Sequence, residues 1–361
     1  MDSGGRLWYN VRWGECTMNR KRYIDLLKTT AIFGVIVIHT CSAGGFSYPL
    51  ASFNWLSTLF WASLVRASVP IFFMCSGALF IPEERELPLK KLYLRYILRI
   101  LIAMFVWSLL YKIYHLARAG ALSARTLADA AVQVLLFRQE FHFYYLHIIL
   151  LFYAFLPVVR VFVRAAGKRE LEYGLLLWFV TGILFPTVRT FPPFSMLSGI
   201  PRQWLMNMTY ASIGYGVLGY YLETYGVSRR TGAAAFVSGF LLIFGGTLIM
   251  SLHKGSFYDG FFEGMSLGAA LLAVGVFGLC LQLSRRLSPK AAGVCVFVSK
   301  ASFCVYLSHV FFIYIFRDLG FTAQSLPTAV SIPCLAAVYL ALCCVLYAVL
   351  SKLPVVNRWL V

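Results

Sequence analysis

Charge is scarce in this chain. Only 13% of its 361 residues are charged, with 14 acidic side chains against 32 lysines and arginines. Soluble globular domains carry about a quarter charged residues, so this composition excludes a soluble domain of appreciable size. Apolar residues make up 60% of the chain and mean hydropathy is +0.76. Also missing are a low-complexity segment, a convincing internal repeat, and any recognisable nucleotide or metal motif. Without a repeat, an inverted-repeat transporter gains no support. The nine cysteines show no metal-type spacing. Cys41, Cys75, Cys280, Cys295, Cys304, Cys334, Cys343 and Cys344 lie within apolar segments and read as small hydrophobes. No cleavable signal peptide is evident, because the first 22 residues are polar and basic and the apolar run that follows is long enough to span. Residues 1–17 look unlike the rest. Met18, followed by Asn19-Arg20-Lys21-Arg22, is a natural start, so the first 17 residues are expected to be dispensable.

What remains is an all-α, polytopic helical bundle in a bilayer. Hydropathy predicts about ten spans, near 24–43, 54–80, 92–117, 143–163, 171–187, 205–224, 232–251, 259–283, 293–316 and 328–350. The expected organisation is a cytoplasmic segment over 1–22, one transmembrane domain over 23–355 and a tail over 356–361. The formal charge of +18 raises the question of nucleic acid. The cations cluster at segment ends instead, with about 19 in alternate links and about seven in the others. That asymmetry puts both termini in the cytoplasm, argues against nucleic acid, and predicts a multi-pass protein of the cell (inner, cytoplasmic) membrane. Two outer links are long. Residues 118–142 hold an amphipathic stretch, Leu127–Leu136, suited to a membrane surface. Residues 186–204 contain four prolines, at 186, 192, 193 and 201.

The polar residues inside the spans are the candidates for function, since a lysine or aspartate at mid-bilayer costs about 2.5–3.5 kcal/mol. Asp25, Lys28 and His39 share a stripe of the first span. Lys28 and His39 are eleven residues apart, about 16 Å along one helix face. His39 lies about 24 Å in, past the midplane of a core about 30 Å thick. Its imidazole is suited to proton transfer. Arg66 precedes Pro70, which removes a backbone hydrogen bond to residue 66 and predicts a kinked polar pocket. Ser76 and Gly77 follow it. Arg95 and Arg99 face one way at the start of the third span and suit phosphates. Ser302, Tyr306 and His309 are spaced i, i+4, i+7 on the ninth span. His142 begins the fourth. On this topology all six histidines belong to the outer half of the membrane.

These residues carry a resemblance. Lys28, ten residues and His39, with Ile24-Asp25 before them, resemble the hallmark of the acyltransferase-3 family of integral-membrane acyltransferases. Val69-Pro70-Ile71-Phe72-Phe73-Met74-Cys75-Ser76-Gly77, His142-Phe143-Tyr144-Tyr145-Leu146 with Leu156-Pro157, and Val298 through His309 are similar to its later motifs, in order. Closest in pattern are the enterobacterial common antigen O-acetyltransferases and similar surface-polysaccharide enzymes. Lys28 stands where many members have Arg, Cys304 where Gly is usual, and Tyr96 interrupts an Arg-Arg pair. The resemblance implies acetyl-CoA or another acyl-CoA as co-substrate, with no tightly bound cofactor and no metal. It implies a hydroxyl of a surface glycan or lipid-linked saccharide as acceptor.

Roles follow as expectations. His39 is the general base, with a covalent acyl-enzyme left open. Asp25 pairs with Lys28, Arg66 with Ser76 or Tyr306 stabilises the oxyanion, and Arg95 and Arg99 bind the donor. His142, Ser302, Tyr306 and His309 contact the acceptor. A homo-oligomer is left open. The rival readings are a transporter or flippase of a lipid-linked saccharide without chemistry, and an acyltransferase with a non-carbohydrate acceptor.

Overall fold

The computed structural model describes residues 21–82, 86–190 and 199–361. All its regular structure is helical: α1 (Arg22–Ser42), α2 (Phe53–Leu64), α3 (Ser68–Phe80), α4 (Leu89–Lys91), α5 (Leu98–Arg118), α6 (Ala124–Leu135), α7 (Tyr144–Ala165), α8 (Lys168–Trp178), α9 (Phe185–Thr190), α10 (Met208–Tyr225), α11 (Arg229–Lys254), α12 (Leu267–Leu283), α13 (Pro289–Asp318), α14 (Thr328–Leu350) and α15 (Pro354–Trp359). Widened π-helical turns at Leu92–Ile97 and Phe179–Leu184 join α4 to α5 and α8 to α9. Several starts are written locally. Ser52, Ser123, Asn207, Ser228, Ser266 and Ser288 each accept a hydrogen bond from the backbone N–H three residues on, which satisfies a donor the helix leaves free.

Among the described residues, nine helical stretches are long and apolar enough to cross a membrane. Val161, Leu241, Ile249 and Val345 project from three of them, exposed. Water would penalise such surfaces and lipid does not. This is a multi-pass membrane protein. The expected span near 205–224 is present as α10, but its tyrosines, glycines and Glu223 leave it outside the nine. It is held by close backbone approach to α3. A Cβ on Gly77 would lie 1.9 Å from the Gly216 carbonyl oxygen, and one on Gly219 would lie 2.2 Å from that of Met74. Small residues at such a crossing let backbones meet. At one end of this pair Lys21, just before α1, forms an ion pair with Glu223.

The expected second span differs from the structure. Instead of one kinked helix there are two, α2 and α3, with a break at 65–67. Pro70 falls in the first turn of α3, where a missing N–H costs little. The break is therefore at Arg66 itself, and the guanidinium is carried by irregular backbone. The amphipathic stretch expected over 127–136 is largely α6. It packs on α5, buries Ala130 and Val134 and exposes Val132 and Leu135. Every described cysteine is a free thiol; most are buried, while Cys334 is exposed. The first 17 residues, most of the 1–22 segment, Arg85, Pro192 and Pro193 lie outside the described residues.

α1 is the central helix. It touches α2, α3, α12, α13 and α14, and Leu27, Ala31, Ile32 and Ile36 are fully buried. A polar stripe on such a helix is walled in by its neighbours rather than facing lipid. The end of the bundle at which α1 begins is called the near end below, and the other the far end.

Candidate active site

Three histidines from distant parts of the chain meet at His39. The ring of His309, on α13, lies 5.1 Å from it between centroids, and that of His142, in the short turn before α7, lies 6.1 Å away. His142 and His309 are 5.3 Å apart. Both are fully buried, whereas His39 is half-buried. His115, His147 and His253 stand elsewhere, so only half of the expected outer histidines converge.

Each partner is held by identifiable bonds. His309 Nδ1–H donates to the carbonyls of Tyr306 (2.8 Å) and Val305 (3.1 Å). Both partners are acceptors, which puts a proton on Nδ1. His309 Nε2 is buried with no hydrogen-bond partner. Beside it, the Tyr111 hydroxyl is inserted into α13. It accepts from the Phe311 N–H (2.9 Å) and donates to the Leu307 carbonyl (2.9 Å), two groups that an uninterrupted α-helix pairs with each other. A side chain inserted in that ladder is a recognised cause of helix distortion, and here it falls within one turn of His309. His142 is fixed by the Tyr306 hydroxyl, which donates to its carbonyl. Two residues before it, Glu140 is bound by His115 (3.1 Å) and Tyr314 (3.2 Å).

Four cavities form a chain along this axis, each sharing a residue with the next. The first, about 800 Å³ at the near end, is lined by Arg95, Tyr96 and Arg99 of the α5 approach and by residues after α14. The second, about 350 Å³, shares Tyr96 and Arg99 with it and adds Lys28, Ser76 and Ser302. The third, about 170 Å³, holds His39, Arg66 and His142. Its wall against the second is Tyr145 and Tyr306, which line both, with rings edge to face at 5.3 Å. The fourth, about 530 Å³, begins at His39 and reaches the far end at Gly44, Thr322 and Gln324.

The stripe of α1 thus serves two chambers, with Lys28 in one and His39 in the other. Ser76 joins Lys28 rather than His39. The stripe of α13 is divided in the same way: Ser302 lines the second cavity, Tyr306 the wall, and His309 packs on His39. Arg66 sits over the Phe262 ring at 4.1 Å, with its Nε buried and without a hydrogen-bond partner. Asp25 is buried in the first turn of α1. Arg99 donates to the main-chain oxygen of Val361, while Arg95 is exposed. Sequence reasoning missed Tyr111 and the wall role of Tyr145. Tyrosine is common in this chain and neither position carries a periodic signal, so only the fold singles them out.

An imidazole at a junction of two chambers, with a guanidinium beside it, can move a proton from a hydroxyl on one side while charge develops on the other. No curated protein and no solved structure matches the chain. A family model described as an acyltransferase domain matches residues 21–348, nearly the whole chain. With its buried polar axis and lipid-facing helices, the chain belongs to this family, the acyltransferase-3 membrane acyltransferases.

Proposed function

We propose that the protein is an O-acyltransferase, acetyl before other acyl groups, acting on a hydroxyl of a surface glycan or of its lipid-linked precursor. The family uses acyl-CoA donors. In this reading the near end, where the link cations concentrate, is cytoplasmic and takes the donor. Arg95 and Arg99 meet its phosphates, and its thioester arm runs through the cavity of Lys28, Ser76 and Ser302 and past Tyr145 and Tyr306, which brings the carbonyl into the third cavity beside His39 and Arg66. The acceptor enters from the far end through the fourth cavity, where His142 and His309 frame its approach to His39.

The reaction balances within this arrangement. His39 takes the proton of the acceptor hydroxyl. The oxygen forms a bond to the thioester carbonyl carbon, and the developing oxyanion is met by Arg66, with Tyr306 at the same wall. The C–S bond breaks as the intermediate collapses, and the CoA thiolate leaves with the proton that His39 held. Asp25 steadies the Lys28 end of the stripe. A covalent acyl-enzyme divides the same sequence into two steps and remains an open variant.

One observation carries the proposal: His39 borders both the third and the fourth cavities, so a donor carbonyl and an acceptor hydroxyl arriving from opposite ends meet at one imidazole. The same chain of cavities favours a second reading, a carrier of lipid-linked saccharide without chemistry. Purified protein in detergent, given labelled acetyl-CoA and candidate glycans, separates the two. Label on a glycan hydroxyl, lost in His39→Gln, is the expected result, and label held on the protein reveals the covalent variant. A wild-type protein that cleaves no thioester while moving the saccharide leaves the carrier.

A further inference from the structure

The C-terminal segment contributes chemistry that no motif pointed to. Its last residues fold back on α5. Trp107 Nε1–H donates to the Leu360 carbonyl (3.1 Å), and Arg99 grips the main-chain oxygen of Val361. This brings Asn357, Arg358 and Trp359 to the first cavity, which Arg95, Tyr96 and Arg99 complete. Its volume of about 800 Å³ is in the range of small-molecule sites. No acidic residue lines it, and Arg95 and Arg358 have no carboxylate partner among the described residues. The Arg358 guanidinium lies 4.9 Å from the centroid of its neighbour's ring, Trp359.

Guanidinium forks match phosphate oxygens. An indole face stacks a purine, and a carboxamide pairs with the donor and acceptor on an adenine edge. All three occur in one cavity, which shares Tyr96 and Arg99 with the Lys28 chamber. We infer that the segment around α15 is part of the donor site, with Asn357, Arg358 and Trp359 joining Arg95 to bind the 3′-phospho-ADP end of acyl-CoA. Arg99 then acts chiefly as the anchor of that segment, since one arm of its guanidinium is engaged by Val361. The inference rests on acyl-CoA being the donor, as proposed above. A phospholipid headgroup offers the same phosphate chemistry, so the test includes it.

The test uses the full chain in nanodiscs of zwitterionic lipid. Adenosine 3′,5′-bisphosphate binding is measured, and kcat/KM is compared for acetyl-CoA and S-acetyl-pantetheine, which lacks the nucleotide. Arg358→Glu is expected to weaken bisphosphate binding at least tenfold. It is also expected to lower kcat/KM for acetyl-CoA at least tenfold relative to S-acetyl-pantetheine, with Arg358→Lys recovering most of both. Equal effects on the two donors, or unchanged bisphosphate affinity in Arg358→Glu, overturn the nucleotide site and leave acyl transfer standing. Arg358-dependent bisphosphate binding by a protein that transfers no acetyl supports the site and removes the reaction. Displacement of the bisphosphate by added anionic lipid, with the same Arg358 dependence, assigns the cavity to lipid and overturns the inference.

Discussion

His39→Gln separates chemistry from structure in this bundle. The imidazole is half-buried at the junction of two cavities, and the rings of Phe141, His142 and His309 pack around it. Glutamine has a similar reach and leaves no large void, so the cost in stability should stay within about 1 kcal/mol. The proton acceptor is lost. A positioned general base contributes about 10²- to 10⁴-fold, equivalent to about 3–5 kcal/mol at about 1.4 kcal/mol per tenfold. Acetyl transfer should fall by that factor in kcat. The KM for acetyl-CoA should move little, because Lys28 and Arg99 line a different cavity, with Lys28 about 16 Å away along α1. His309→Ala is the contrasting control. It removes a fully buried ring and its two carbonyl contacts, so it should cost about 2–4 kcal/mol of stability as well as activity. The assay is labelled acetyl transfer in detergent, paired with thermal unfolding of the same preparations. A His39→Gln protein that unfolds like wild type and keeps more than about a tenth of its kcat would refute the general-base assignment.

Three further outcomes are expected. Gly77→Ala places a methyl 1.9 Å from the Gly216 carbonyl oxygen, so α3 and α10 must part; unfolding should come earlier by about 1–3 kcal/mol or more. Gly293→Ala, with nothing within 4 Å of its Cβ, should be neutral or gain about 0.5–1 kcal/mol, and equal loss in both variants would count against the close crossing. Tyr111→Phe removes the hydroxyl between Phe311 and Leu307. A cost of about 1–3 kcal/mol with reduced kcat is expected, and unaltered stability and turnover would show that the inserted hydroxyl is dispensable. Tyr306→Phe keeps the wall but releases the His142 carbonyl. Slower transfer with donor KM preserved is the expected pattern, and a change confined to donor KM would move Tyr306 to the donor side.

Much of this was legible in local pattern. Hydropathy located the spans because desolvation is a property of each segment. The shared face of Lys28 and His39 follows from helical pitch alone. The break at Arg66 was read as a kink, since a proline weakens a helix but does not say whether packing will open the turn before it. α10 was expected as an ordinary span; its Gly77, Gly216 and Gly219 contacts depend on a partner helix more than 130 residues away in sequence.

By itself, the sequence determined that this chain lies in a membrane as a helical bundle. It also determined which polar side chains are costly to bury, and that Lys28 and His39 stand on one stripe too far apart to act on one atom. Those conclusions need only the geometry of a single helix and the solvation of single residues. The tertiary structure alone decided that His142 and His309 close on His39, that a hydroxyl from α5 is inserted in α13, that Tyr145 and Tyr306 stand between the Lys28 chamber and the His39 chamber, and that the C-terminal segment joins Arg95. Each is a contact between helices distant in sequence, set by how side chains interlock when the helices pack, and no periodicity within one helix encodes it.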